Sequence, residues 1–94
     1  MCGISGFLSF SEKLSKEKLD SFSILMAKRL IKRGPDSFGV WSEPKSNISL
    51  SHRRLSILDL SEKANQPMIC SNHRYVIVYN GEIYNFNEIK DSLN

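Results

Sequence analysis

The chain has 94 residues, 40% hydrophobic and 24% charged, which fits one small folded domain and excludes two complete catalytic domains, a disordered tract or a fibrous repeat. Thirteen Lys and Arg against ten Asp and Glu give +3, too mild for the electrostatic footprint of a nucleic-acid binder. No apolar run approaches the ~18–20 residues that span a bilayer and no basic leader opens the chain, so neither a membrane partner nor secretion is expected, and the expected compartment is the cytoplasm.

From Gly3 to Phe10, the residues Ile4, Gly6, Leu8 and Phe10 alternate with Ser5, Phe7 and Ser9, a period of two that predicts a strand. Leu19, Phe22, Leu25, Met26 and Leu30 then recur at steps of three and four until Gly34-Pro35, predicting an amphipathic helix from Ser15 to Arg33. Lys28, Arg29, Lys32 and Arg33 crowd its last turns, where cations suit the negative end of the helix dipole; the cluster reads as scaffold rather than as an anion site. Val40-Trp41 and Ile48 to Ser51 predict two short strands around a turn of Pro44, Lys45, Ser46 and Asn47, with Leu55 to Leu60 continuing extended.

Tyr75 to Tyr79 is aromatic and β-branched and predicts the clearest buried strand, while Asn80-Gly81 favours a tight turn, with a hairpin as the plain reading. Ile83, Phe86, Ile89 and Leu93 stand at helical spacing with Asn85 or Asn87 as N-cap, and no stop signal precedes Asn94, so the helix reads as interrupted. No repeat, low-complexity stretch or Gly/Ser linker divides the chain, which reads as a single, incomplete unit.

Two cysteines are present, and a reducing compartment makes a disulfide between Cys2 and Cys70 unexpected. Cys2 directly follows the initiator methionine, so removal of Met1 would leave a thiol and a free α-amino group on one residue. These groups have similar ordinary proton affinities, and the amine can act as base for its own nucleophile without a histidine. A lone early cysteine is otherwise an inert small hydrophobe. His52 as the base of a Cys-His dyad, or His73 with Cys70 as part of a metal site, are weaker readings, because neither a C-x-x-C nor an H-x₃₋₅-H spacing occurs; no metal is expected in this chain. The basic residues, including Arg53 and Arg54, lack the stacking-aromatic motif of an RNA binder, so no nucleic-acid partner is expected.

The opening Met1-Cys2-Gly3-Ile4-Ser5-Gly6-Phe7 resembles the start of class II, N-terminal-nucleophile glutamine amidotransferases. Arg33-Gly34-Pro35-Asp36 with Gly39, His52-Arg53-Arg54-Leu55-Ser56-Ile57 with Asp59, Gln66-Pro67-Met68, and Asn80-Gly81-Glu82-Ile83-Tyr84-Asn85 are similar to the successive signatures of glutamine-hydrolysing asparagine synthetases. The resemblance covers essentially the whole chain and implies an α+β fold, a four-layer α/β/β/α sandwich with antiparallel sheets, of which residues 1–94 are the N-terminal, truncated part.

By that resemblance, mature Cys2 attacks the carboxamide of glutamine and its α-amino group moves the protons. The side-chain amide of Asn80 and the backbone N–H of Gly81 form the oxyanion hole, Arg54 pairs with the substrate carboxylate, and Glu82 meets the substrate amino group. Arg33 and Asp36 are supporting residues that pair to shape a loop. The ammonia acceptor, expected to be aspartate, is reached through a synthetase domain absent from this chain. ATP and magnesium belong to that domain, and no cofactor is expected here, since no Ser-Gly-Gly pyrophosphate loop occurs. The family's amino-group aspartate falls beyond Asn94, so the 94 residues alone are expected to hydrolyse glutamine barely. The alternative is a non-catalytic remnant or interaction module derived from the same domain.

Overall fold

The computed structural model describes residues 2–55 and 64–94. Its elements run in the order β1 (Gly3–Leu8), α1 (Lys16–Lys28), β2 (Ser37–Glu43), β3 (Ile48–Arg54), β4 (Met68–Ile69), β5 (Val76–Ile77) and α2 (Phe86–Leu93). The arrangement is α+β, and every strand pair is antiparallel. β3 is the centre of a three-stranded sheet in the order β1-β3-β2, and β4 and β5 form a two-stranded ribbon.

Registers on both sides of β3 decide which residues share a face. Gly3 stands across from Arg53 and Leu8 from Ile48 on one side, and Ser37 across from Arg54 and Glu43 from Ile48 on the other. Residues directly opposite share a face, and successive residues alternate. Ser49, Ser51 and Arg53 therefore join Ser5, Phe7, Val40 and Ser42 on the face toward α1. Leu50, His52 and Arg54 join Ile4, Gly39 and Trp41 on the other. The first face is the docked one: Ser23 of α1 hydrogen-bonds Ser49, the Ser42 hydroxyl donates to Asp20 at 2.6 Å, and the Phe7 and Phe22 rings meet edge to face at 6.1 Å.

α1 starts as expected. Ser15 has extended backbone, and its hydroxyl accepts the Lys18 N–H at 3.2 Å, satisfying one donor of the first turn. It ends at Lys28 rather than Arg33. Arg29, Leu30 and Arg33 donate to carbonyls three residues back, which tightens the chain into successive turns. This lets Gly34 lie flat against β3, where a Cβ would overlap the Arg53 carbonyl. The expected apolar stripe is also redrawn: Leu19, Ser23 and Ala27 are buried, whereas Phe22 and Leu25 are largely exposed. Ser23 and Ala27 suit a sheet face lined with serines, and Phe22 and Leu25 are left to its rim.

The expected buried strand at Tyr75 to Tyr79 is reduced to Val76–Ile77, and Tyr75, Ile77 and Tyr79 are exposed. β-Propensity reports fitness for a pleated surface, but burial needs a layer above it, and among the described residues β5 has only the two residues of β4 beside it. The connecting turn is closed by Cys70, whose thiol donates to Asn72 Oδ1 at 2.9 Å and accepts the Tyr75 N–H at 3.1 Å. No hairpin follows Asn80-Gly81; the chain bends at Gly81 and enters α2, which has Asn85 at its N-cap without a side-chain capping bond and buries no residue. Of the expected extended run Leu55 to Leu60, all but Leu55 lies outside the described residues, as do Ser56, Ile57 and Asp59.

The β2–β3 turn occupies Pro44 to Asn47, as expected, and both strands extend beyond their expected bounds. Asn47 adopts φ 57, a left-handed conformation that asparagine tolerates. Its Oδ1 accepts the Leu14 N–H at 2.9 Å, and its Nδ2 donates to the carbonyls of Ser9, at 3.1 Å, and Glu12. One side chain thus fastens the β1–α1 connection to the hairpin. Asn47→Asp keeps the shape but replaces both donations by a carboxylate oxygen facing two carbonyls. It is expected to lower stability by about 1–3 kcal/mol, read as a shift of the urea midpoint. An unchanged midpoint would show that the clamp contributes nothing.

Candidate active site

Cys2 and Arg54 meet at the end of the β1–β3 ladder. Gly3↔Arg53 is the last register pair, so Cys2 is the next residue opposite Arg54, on the face away from α1. The Leu55 N–H points at the Cys2 sulfur, with N···Sγ 3.4 Å. Arg33 holds the other end of the same residue, its Nε donating to the Cys2 carbonyl at 3.1 Å. Arg33, expected to pair with Asp36, thus bonds the backbone of Cys2. Asp36 donates its N–H to the Arg54 carbonyl at 3.0 Å, continuing the β2 edge.

The period-two separation of the adjacent arginines is explicit in the structure. Arg53 points toward the helix side, donates from Nε to the Gly34 carbonyl at 2.8 Å and lies 5.2 Å from the Phe38 ring centroid. Arg54 points to the Cys2 side, where a guanidinium nitrogen donates to Asn65 Oδ1 at 2.8 Å, and the Ser37 hydroxyl donates to the same oxygen at 3.1 Å. Both arginines are buried.

Asn80, Gly81 and Glu82 are exposed, in the segment between β5 and α2. Among the described residues, no hydrogen bond links them directly to Cys2 or Arg54; the tie runs through Tyr79. The Tyr79 N–H donates to Gln66 Oε1 at 2.6 Å, its carbonyl accepts from His52 Nε2 at 3.1 Å, and its phenol donates to the Glu82 carbonyl at 3.2 Å. Gln66 reaches this position by crossing the sheet directly over Gly39, where a Cβ would overlap the Gln66 carbonyl oxygen. Gly39 is in turn the β2 partner of His52.

His52, Asn65, Gln66 and Tyr79 were not singled out as site residues by sequence reasoning, which weighed His52 only as the base of a Cys-His dyad. Its signal was available, since His52 stands two residues before Arg54 and alternation puts both on one face. It is 1% exposed. Because a carbonyl can only accept, Nε2 carries the proton, and the buried Nδ1 has no partner among the described residues. Burial holds the imidazole pKa below its ordinary 6.5; the bond to Tyr79 opposes this and the Arg54 charge reinforces it. Cys70, by contrast, is occupied in its own turn, and no group of three or more metal-ligating side chains occurs among the described residues.

The glutamine amidotransferase domain family matches residues 1–94. The chain belongs to that family. Asparagine synthetase (glutamine-hydrolyzing) 3 of Bacillus subtilis is 39% identical, the match covering 99% of this chain and 15% of that protein. A Methanocaldococcus jannaschii protein provisionally named asparagine synthetase (glutamine-hydrolyzing) 2 is also 39% identical, with 100% of this chain and 21% of that protein covered. Amidase chry2 of Gibberella zeae is 35% identical, covering 99% of this chain and 15% of its own length. The amidotransferase-domain chain therefore spans about a fifth or less of the curated relatives it matches. No solved structure matches it. Among the described residues, no helix is long and apolar enough to cross a membrane.

The lowered His52 pKa fixes the sign of one pH effect. Near pH 6.5 the unfolded chain binds more protons at this residue than the folded chain, so stability rises with pH. The contribution is complete above the ordinary value of 6.5 and is lost as pH falls through the folded-state value. Wild type is therefore expected to lose more stability than His52→Gln between about pH 7.5 and about pH 5.5, measured by urea midpoints. Equal losses would show that His52 is not held neutral by the fold.

Proposed function

We propose that residues 1–94 form the N-terminal part of a glutaminase domain that releases ammonia from glutamine, with Cys2 as nucleophile once Met1 has been removed. The observation that carries this reading is the placement of Cys2 across from Arg54 at the end of the β1–β3 ladder, on one sheet face, with the Leu55 N–H on the sulfur. Family membership and the relatives' printed names support glutamine as the substrate.

In this reading the α-amino group of Cys2 accepts the thiol proton, and the sulfur attacks the carboxamide carbon to form a tetrahedral oxyanion. The Asn80 side chain and Gly81 N–H receive that oxyanion, a role in which each donor typically contributes about 10²–10³ in rate. The ammonium returns its proton to the departing nitrogen, ammonia leaves, and water cleaves the thioester to glutamate. Arg54 holds the substrate carboxylate with its planar fork, Glu82 meets the substrate ammonium, and Arg33 and Asp36 steady the backbones of Cys2 and Arg54.

The full domain is read as the four-layer sandwich, working in the cytoplasm. Ammonia passes to a synthetase domain that amidates an acid, expected to be aspartate. ATP and magnesium are assigned to that domain, and no step described here runs through them.

In the full-length protein, Cys2→Ala is expected to abolish glutamine-dependent amidation while leaving ammonia-dependent amidation largely intact. A glutamine-driven rate near wild type would sink the nucleophile assignment. Arg54→Lys should raise the KM for glutamine by about 10–100-fold, the loss of one charge-assisted bond of a bidentate pair. Arg53→Lys should instead lower Tm through its bond to Gly34, with KM little changed. Equal KM effects in steady-state kinetics would reassign the carboxylate site.

A further inference from the structure

We infer that His52 is a positioning residue that aims the Asn80-Gly81 turn at the Cys2 face by holding the Tyr79 carbonyl. This rests on the reading of Asn80 and Gly81 as oxyanion donors.

The geometry is specific to the two peptide groups that flank the Tyr79 α-carbon. The peptide before it is fixed through its N–H, which donates to Gln66 Oε1 at 2.6 Å. The peptide after it, shared with Asn80, is fixed through its C=O, which accepts from His52 Nε2 at 3.1 Å. With both planes held, the direction in which the chain leaves toward Asn80 and Gly81 is set. Both anchors belong to the Cys2 side of the sheet. His52 shares that face with Arg54, and Gln66 lies over Gly39, the ladder partner of His52. No other hydrogen bond among the described residues carries the position of the sheet to the Asn80-Gly81 segment, whose own residues are exposed.

The chemistry of an imidazole argues against simple packing. A leucine would fill a similar volume, whereas the histidine takes two ring nitrogens out of water and leaves buried Nδ1 with no partner among the described residues. What the imidazole adds is the single N–H at the reach of Nε2. A donor misplaced by about 1 Å can lower a rate about 10²-fold, so loss of this bond should act on kcat rather than on substrate capture by Arg54.

The test compares His52→Leu, His52→Gln and His52→Asn in the full-length protein. Glutamine extends an amide nitrogen to roughly the reach of Nε2, and asparagine stops short of it. For ammonia release from glutamine, His52→Leu should lower kcat about 10²-fold with KM within about threefold of wild type. His52→Gln should recover most of that loss, and His52→Asn should not. Wild-type kcat in His52→Leu, or a glutamine variant no better than the leucine one, overturns the proposal.

Hydrogen exchange at residues 78–81 reads the anchor independently of catalysis: faster by about tenfold or more in His52→Leu, and restored in His52→Gln. If Cys2→Ala leaves glutamine hydrolysis undiminished, the glutaminase reading fails, and exchange alone decides the anchor, with unchanged rates in His52→Leu overturning it. Should every variant fail to fold, nitrogen NMR of wild-type His52 decides. Protonated Nε2 and bare Nδ1 at neutral pH support the bond, and the opposite tautomer overturns it.

Discussion

The pleat of β3 is the constraint on which the rest of the structure depends. Among the described residues it is the strand of the three-stranded sheet paired on both edges, so its alternation cannot shift without breaking two ladders at once. One set of its side chains, Ser49, Ser51 and Arg53, is given to α1 and the Gly34 turn. The other, Leu50, His52 and Arg54, is given to the face where Cys2 emerges. A slip of one residue would send Arg54 to the helix and Arg53 to the cysteine. Scaffold and site are therefore two sides of one strand.

From this strand outward, Cys2 is held by atoms that have nothing to do with glutamine: the Leu55 N–H on its sulfur and the Arg33 guanidinium on its carbonyl. The segment bearing Asn80 and Gly81 is held less directly, through Tyr79 to His52 and Gln66. The two halves of the candidate site differ in how they are fixed. The Cys2 end is built into the sheet, and the Asn80-Gly81 end is hung from it by two hydrogen bonds.

What the sequence makes legible follows the range of the interactions involved. The start of α1 near Ser15, the Pro44 to Asn47 turn and the opposite facing of Arg53 and Arg54 depend on a few neighbouring residues, and they appear where local pattern puts them. The end of α1 depends on Gly34 reaching the Arg53 backbone, a contact between distant residues that helical periodicity cannot report. Leu25 and Phe22 have helical spacing but stay largely exposed, Phe22 meeting Phe7 at the edge of the contact, because Leu19, Ser23 and Ala27 take its buried centre. Tyr75 to Tyr79 has strand character without strand burial, since burial is a property of what lies above. In the site, the opposite facing of Arg53 and Arg54 follows from alternation, whereas the placement of Cys2 beside Arg54 depends on the long-range β1–β3 register. The Tyr79 linkage is long-range too, because it joins a buried histidine to a carbonyl 27 residues away.

The serine-lined contact between α1 and the sheet has a further consequence. Dispersion has no preferred direction, and a helix seated on leucines and valines is positioned by shape complementarity alone. Hydroxyl pairs such as Ser23 with Ser49 are satisfied in one rotational setting, and a shift of one helical turn, about 5.4 Å, would strand buried donors on both surfaces. The joint behaves as a key in a lock rather than as a greased bearing. Replacing both serines by alanine removes the notch and leaves only a small gap. Such a protein would stay folded while its helix lost its sense of position, and that looseness would reach the opposite face of the sheet through the Gly34 turn.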